Sequence, residues 1–171
     1  MNLYQVIRAI ERTAAGQPPV RSIVRNDIFR LNALPDVPYG TFAWLQGEHS
    51  TEGDSDLIRW SFTFFYVDRL TANHDNEVQV QSTGIEVLEN ILQALQDGGI
   101  FAGEYTFQTF NQRFADECAG VFCRVVLEAP KGSTCAEQWD YEEGKGDFNL
   151  DYNEDFKCWV LKTKEREIYI Y

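Results

Sequence analysis

The spacing of apolar residues along the chain predicts two helices. Near the start, four apolar residues recur at the helical spacing i, i+3, i+4 and i+7, with Asn2 ahead of them as a cap and Gly16 behind them as a stop. This pattern predicts a first helix over residues 2–15. A second apolar stripe ends at a glycine pair and predicts a helix over residues 77–97. Within it, Gly84 either allows close packing or marks an irregular start.

Alternation with a period of two predicts the strands. It is most regular over residues 57–70, where the even positions from 58 to 66 are apolar and positions 59, 61 and 63 are polar. A polar run over residues 47–56 predicts a loop that joins this strand to the preceding one in a hairpin. Further strands are predicted over residues 22–31, 41–46, 103–109, 121–128, 158–162 and 167–171.

These elements favour an α+β fold, a two-layer sandwich of a mainly antiparallel sheet with two helices packed on one face. A chain of 171 residues, 44% of them hydrophobic, is long and apolar enough to bury the core of one domain. After Pro130 the composition shifts and acidic residues become frequent. We therefore expect an α+β core domain over residues 1–130 and a C-terminal acidic extension over residues 131–171, made of a loop and a hairpin packed on the same domain.

The charge balance weighs against binding to anionic partners. Fifteen Lys and Arg residues stand against 27 Asp and Glu residues, a formal net charge of −12, so nucleic acid and anionic membranes would be repelled. The acidity serves either solubility or an acidic wall along which DNA slides without sticking, and charge alone does not decide between them. Because the sequence contains neither a leader-like segment at its start nor an apolar run long enough to span a membrane, we expect it to stay inside the cell that makes it.

Motif searches identify no catalytic, cofactor-binding or metal-binding residue. The common dinucleotide, phosphate-loop and zinc-protease signatures are absent. The two histidines, His49 and His74, fall in predicted polar loops far apart in the sequence. Nothing selects a catalytic pair from the 27 acidic residues. We therefore expect no catalysis and no cofactor.

The cysteines and one acidic segment also have structural explanations. The cysteines are spaced too irregularly for a disulfide framework or a zinc site, so we expect buried thiols at Cys118, Cys123, Cys135 and Cys158. Polar and apolar residues alternate over 147–155, but Tyr152 stands where a calcium loop needs glycine. This segment is instead predicted to be a polar face or edge of a strand, which its charge protects from mispairing.

Three stretches carry a resemblance to phage proteins. The first, FNQRFADECAGVFCRVVLEAP over residues 110–130, resembles phage tail-terminator and neck (head–tail joining) proteins, in which a polar-aromatic segment leads through Ala-Gly into a strand closed by Pro. The others, WSFTFFYVDRL over residues 60–70 and QSTGIEVLENILQAL over residues 81–95, resemble small virion proteins of Bacteroidetes phages and prophages. The chain departs from these proteins after Pro130, where they usually finish soon but this sequence continues.

The resemblance implies a structural subunit that assembles into a ring at the neck or the tail end of the virion. Its partners would be copies of itself and other phage neck and tail proteins, with DNA only as cargo passing through the channel and no membrane contact. Assembly would take place in the cytoplasm of the bacterial host. Candidate subunit-contact residues are Asp68, Arg69, Phe110, Arg113 and Phe114. Core packing is the alternative for the aromatic residues, and a surface salt bridge is the alternative for Asp68 and Arg69.

Two other classes of function remain open at the level of sequence. One is a cytoplasmic adaptor or protein-binding module of the host, and the other is a small enzyme without a recognisable motif. Neighbouring portal, capsid and tail genes would favour the virion hypothesis over the adaptor.

Overall fold

Two helices and nine strands make up the part of the chain that the computed structural model describes, which comprises residues 1–27, 39–51, 56–111, 117–131, 149–153, 158–162 and 167–170. The helices are α1 (Leu3–Gly16) and α2 (Glu77–Asp97). The strands are β1 (Ser22–Arg25), β2 (Thr41–Thr51), β3 (Leu57–Arg69), β4 (Phe101–Ala102), β5 (Thr106–Asn111), β6 (Cys118–Pro130), β7 (Asn149–Asn153), β8 (Cys158–Lys162) and β9 (Glu167–Ile170).

All nine strands belong to one mixed sheet. Its order is β4-β6-β3-β2-β1-β9-β8-β7, and β5 also pairs with β6. Strand β1 is parallel to both β2 and β9, and every other pair is antiparallel. The longest pairing joins β3 to β6 without a break, from Leu57 opposite Pro130 to Arg69 opposite Cys118. These two strands are the centre on which the rest of the described fold is built.

The main core lies between the sheet and the two helices, as predicted for an α+β sandwich. The alternating apolar residues of β3 supply one side of it, and Trp60, Phe62, Phe64 and Tyr66 are at most 3% exposed. They pack in one cluster with the apolar stripes of both helices, for example Ile10 of α1 and Leu88 of α2. Both helices therefore cover the same face of the sheet, and the two-layer prediction is confirmed.

Helix α1 begins where the sequence predicts. Asn2 accepts a hydrogen bond from the backbone N–H of Gln5 at 2.9 Å, and the Gln5 side chain accepts one from the backbone N–H of Asn2 at 2.8 Å. This reciprocal capping box satisfies two N–H groups that a helix start leaves without partners. Such a cap stabilises a helix by roughly 1 kcal/mol.

A buried ion pair fixes α1 to the sheet. Glu11 is 4% exposed, and both of its carboxylate oxygens accept hydrogen bonds from the Arg25 guanidinium of β1, at 2.5 and 2.7 Å. Arg8 lies farther away, 3.8 Å from the same carboxylate. A bidentate Arg–carboxylate contact fixes the orientation of the two side chains as well as the distance between them. This pair therefore sets how α1 lies across β1.

The sequence leaves open whether Gly84 allows close packing or marks an irregular helix start. The structure excludes an irregular start, because α2 is regular on both sides of Gly84. A Cβ atom at this position would lie 2.9 Å from the Val121 side chain and 3.0 Å from the Tyr66 ring. Glycine is therefore the residue that lets the helix approach β3 and β6 this closely. Close packing is the confirmed explanation.

Several predicted boundaries are wrong. Strand β2 continues to Thr51, so the predicted loop over residues 47–56 is a strand for its first half, and His49 lies in that strand opposite Trp60. The register shifts between Gln46 and His49, and this bulge breaks the alternation on which the prediction depended. The strand predicted over residues 103–109 is β5, which begins later, at Thr106, and ends at Asn111; the short strand β4 before it was not predicted.

The other differences concern strand ends. Strand β6 begins at Cys118 rather than at residue 121, and β1 ends at Arg25, while the rest of the strand predicted over 22–31 reaches into residues outside the described part. The predicted C-terminal hairpin is present as β8 and β9, and the acidic segment supplies β7 at the edge of the sheet, as its composition predicts. The sequence did not predict that β9 also pairs with β1.

Candidate subunit-contact surface

Three of the five predicted contact residues lie at the same end of the sheet. Across β5, β6 and β3, Phe110 is paired with Gly120, and Gly120 is paired with Val67. The next residue of β3 is Asp68, which belongs to the neighbouring row of pairs. Phe110 and Asp68 are thus two strands apart, roughly 10 Å at the usual strand spacing. Arg113 and Phe114 lie outside the described residues.

The Phe110 ring lies inside the protein. It is 6% exposed and packs with Val67 and Cys118, on the sheet face opposite the helices, and its neighbours Phe65 and Phe122 are partly buried. The rings of Phe65 and Phe122 stack with their centroids 5.7 Å apart. The sequence leaves two roles open for Phe110, subunit contact and core packing, and its burial favours core packing.

Asp68 and Arg69, in contrast, form an outer corner. Asp68 accepts a hydrogen bond from the backbone N–H of Arg69 at 2.8 Å, and the Tyr66 hydroxyl donates to its other oxygen at 3.4 Å. The Arg69 guanidinium lies 4.6 Å from the centre of the Tyr39 ring. Burial raises the pKa of Tyr66, and the neighbouring Asp68 carboxylate raises it further, so the hydroxyl remains a donor. The corner therefore keeps a fixed shape while Arg69 remains exposed.

The loop after β3 extends this corner with polar groups. The Asn76 side chain accepts from the backbone N–H of Thr71 at 2.9 Å and donates to the carbonyl of Arg69 at 3.1 Å. His74 lies 3.3 Å from Glu117, the residue just before β6. These contacts tie the start of α2 to the ends of β3 and β6. We call Asp68, Arg69 and this loop the strand-end corner.

A second exposed surface, which sequence reasoning missed, lies along β5. Four of the six residues of this strand are exposed, and none of the six is charged. Of the five exposed large hydrophobic side chains among the described residues, Tyr105 (36%) directly precedes this strand, Val126 (39%) lies in β6, and Phe101 (53%) lies in β4, opposite Glu128. We call Thr106–Asn111 together with these three side chains the β5 edge. The only indication of this surface in the sequence was a run of uncharged residues beside a segment in which apolar and polar residues alternate irregularly.

Two of the four cysteines have described side chains, and the described residues include no candidate metal site. No group of three or more His, Cys, Asp or Glu side chains among them is arranged to hold a metal ion. Cys118 and Cys123 are both buried, as predicted, and burial raises the pKa of the Cys123 thiol to about 12. A thiol with so high a pKa remains protonated at neutral pH and is a poor nucleophile. Cys135 lies outside the described residues.

Comparisons with known proteins do not place the chain in a family. No protein-family model matches it, and no curated protein is significantly similar to it in sequence. None of the helices in the described part of the chain combines the length and apolar character needed to cross a membrane. The function must therefore be inferred from the residues themselves and from how the fold arranges them.

Proposed function

We propose that this chain is a structural subunit of a phage particle, of the tail-terminator type, which forms a ring at the neck or tail end. It joins or completes tail and head, contacts itself and other neck and tail proteins, and catalyses no reaction. DNA passes through the ring without being specifically bound. The particle is assembled in the host cytoplasm.

The observation that carries this proposal is the location of the resembling stretches. Residues 60–70 lie in β3, residues 81–95 lie in α2, and most of residues 110–130 form β6. Strands β3 and β6 pair along their whole length, and α2 crosses them at Gly84. The three stretches therefore form one packed unit at the centre of the described fold.

The surface of the described part agrees with a role based on contacts. The strand-end corner presents charged and aromatic groups at one end of the sheet. A net charge of −12 opposes specific binding to DNA, which is consistent with DNA that slides through a channel.

Deleting the gene from the phage or prophage that carries it tests this proposal. We expect negative-stain electron microscopy to show filled heads without tails, or tails with abnormal ends, and wild-type protein supplied in trans should restore whole particles. Intact infectious particles from the deletion strain would contradict the proposal. So would a gene that lies among host genes, far from portal, capsid and tail genes, which would favour the host adaptor instead.

A further inference from the structure

One segment of this acidic chain is basic. Residues 1–25 contain four arginines and one acidic residue, Glu11, whereas the chain as a whole has a formal net charge of −12. Glu11 is buried and Arg25 donates to both of its oxygens, so its charge is balanced inside the fold. The segment that forms α1 and β1 therefore presents a net positive charge to solvent.

Helix α1 carries part of this charge on its exposed side. Arg8 and Arg12 lie about one turn apart, and the Arg8 guanidinium lies 5.8 Å from the centre of the Tyr4 ring. Arg12 is exposed, and 67% of Tyr4 is accessible to solvent. Aromatic residues and arginine are enriched in protein interfaces. We call Tyr4, Arg8 and Arg12 the basic helix face.

Helix α2 has the opposite charge. Its acidic residues are Glu77, Glu86, Glu89 and Asp97, and it contains no lysine or arginine. The last three are exposed, on the side of the helix opposite its buried apolar stripe. We call Glu86, Glu89 and Asp97 the acidic helix face. Val78, in the first turn of the same helix, is 77% exposed.

The two helix faces lie on different sides of the helix layer. Helix α1 packs on β1, α2 packs on β3, β4, β5 and β6, and the two helices contact each other. In the sheet, β1 is separated from β3 by β2, so α1 and α2 lie side by side in the direction of the strand order. The described helix layer therefore has a positive side and a negative side.

This separation of charge indicates which partner fits the basic helix face. The partner must be acidic where it touches α1. A nucleic acid laid on α1 would also meet the carboxylates of α2, because packed helices are only about 8–10 Å apart. A protein partner can instead bring a single acidic helix to the contact. A second copy of this chain carries such a helix, so every copy holds both complementary surfaces.

We propose that copies of the chain associate head to tail, with the basic helix face of one copy against the acidic helix face of the next. The remaining negative charge does not prevent this, since salt at about 0.15 M screens repulsion beyond roughly 8 Å. Two different surfaces that meet in this way continue from copy to copy and close into a ring when the rotation allows it.

This inference rests on the proposed function, because it names the surfaces that join neighbouring subunits of the ring. The strand-end corner lies at the start of α2, where Asn76 binds the carbonyl of Arg69. The corner and the acidic helix face therefore border each other, and one interface can contain both.

Charge complementation between the two helices tests the contact. Sedimentation velocity of the full wild-type chain should show species larger than a dimer that grow with concentration. Arg12→Glu alone and Glu89→Lys alone should each weaken association at least about fivefold, because like charges then meet. The double variant and an equimolar mixture of the two single variants should both recover association, since opposite charges meet again. Glu86→Lys, tested in the same way, covers the neighbouring position, and recovery is expected at one position or both.

Arg124→Glu and Glu104→Lys are the matched controls, since each reverses an exposed charge outside the two helices. Both should associate like the wild type, and circular dichroism should show that all variants are folded. The head-to-tail contact is overturned by a wild type that remains monomeric, or that stops at a dimer, at every concentration. It is also overturned if the single variants associate as well as the wild type, or if no double variant and no mixture recovers.

Failure of this contact and failure of the proposed function give different results. The purified chain is measured without phage, so intact particles from a deletion strain would contradict the virion role and leave the association of the helices unaffected. Tailless particles from the deletion strain, together with a wild type that does not associate, would retain the virion role and overturn the helix contact.

Discussion

At the scale of single residues, Glu11 shows how a charge is kept inside this fold. Its carboxylate has two guanidinium contacts from Arg25, and Arg8 lies 3.8 Å away. A buried carboxylate without such a partner would be strongly unfavourable. The pair therefore determines the position of α1 more than it adds net stability.

Replacing Arg25 by methionine should destabilise the protein. The expected loss is about 3 kcal/mol, at the low end for breaking a buried pair, because Arg8 remains near the carboxylate. Urea unfolding measures it. Arg59→Met is the matched control, since the Arg59–Glu128 pair is more exposed and should contribute at most about 1 kcal/mol. Equal losses from the two variants would contradict the structural role of the Glu11 contact.

The buried Cys123 thiol predicts a loss of stability in alkali. Burial raises its pKa to about 12 in the folded chain, above the ordinary value of 9.0. The unfolded chain therefore loses the thiol proton first, so this contribution to stability is complete below pH 9 and disappears as the pH rises toward 12. The same direction holds for Tyr66, whose pKa burial also raises.

We expect the free energy of unfolding, measured with urea, to fall between pH 9 and 11 for the wild type. The fall should be smaller in Cys123→Ala, even though that variant is less stable at pH 7 because it leaves a cavity. The part of the fall that remains in Cys123→Ala comes from Tyr66 and other titrating groups. An identical pH dependence in both proteins would show that the thiol is not protected in the folded state.

Among the secondary-structure elements, the packing of α2 against the sheet at Gly84 gives the sharpest prediction. In an isolated helix Gly→Ala gains about 1 kcal/mol. Here the added methyl group would meet Val121 and Tyr66, so Gly84→Ala should instead cost about 1 kcal/mol in urea unfolding. Adding Val121→Ala should make the Gly84 substitution less harmful. Gly16→Ala is the control, because a methyl group added there would meet no neighbouring side chain within 4 Å. Stabilisation by Gly84→Ala would contradict the close packing of α2.

The sequence predicts both helices and the strand β3 well, because each buries one face against the same core. The apolar stripe of α2 and the alternation in β3 are direct consequences of that arrangement. The second half of β2 was missed because its residues are polar and a bulge at Gly47–Glu48 shifts the register. The pairing of β9 with β1 joins residues far apart in the chain, and no local pattern indicates it.

The candidate surfaces were predicted only in part. Asp68 and Arg69 end a strand that is clear in the sequence, and the structure places them at an outer corner, while their role as subunit contacts stays a prediction. The choice between contact and core packing for Phe110 needed the structure, since an aromatic residue in a short strand looks the same in sequence whether it packs inward or outward. The β5 edge was missed because its place beside β6 follows from the strand order of the described sheet, which no local pattern indicates.

At the scale of the whole molecule, the strand-end corner should matter for assembly rather than for folding. Arg69→Glu reverses the charge of an exposed side chain, so the protein should fold with little loss of stability. When supplied in trans to a deletion strain, it should restore fewer infectious particles than the wild type, by tenfold or more in a plaque assay. Arg124→Glu, an equal charge reversal at an exposed position of β6, should complement fully. Full complementation by Arg69→Glu would remove this corner from the ring contact.

A structural part of the phage neck or tail end must be present at that place in the assembled particle. Immunogold electron microscopy of purified particles, with antibody against this chain, measures that location. We predict label at the head–tail junction or at the tail end, and none on particles from the deletion strain. Absence of the chain from purified particles would contradict the account.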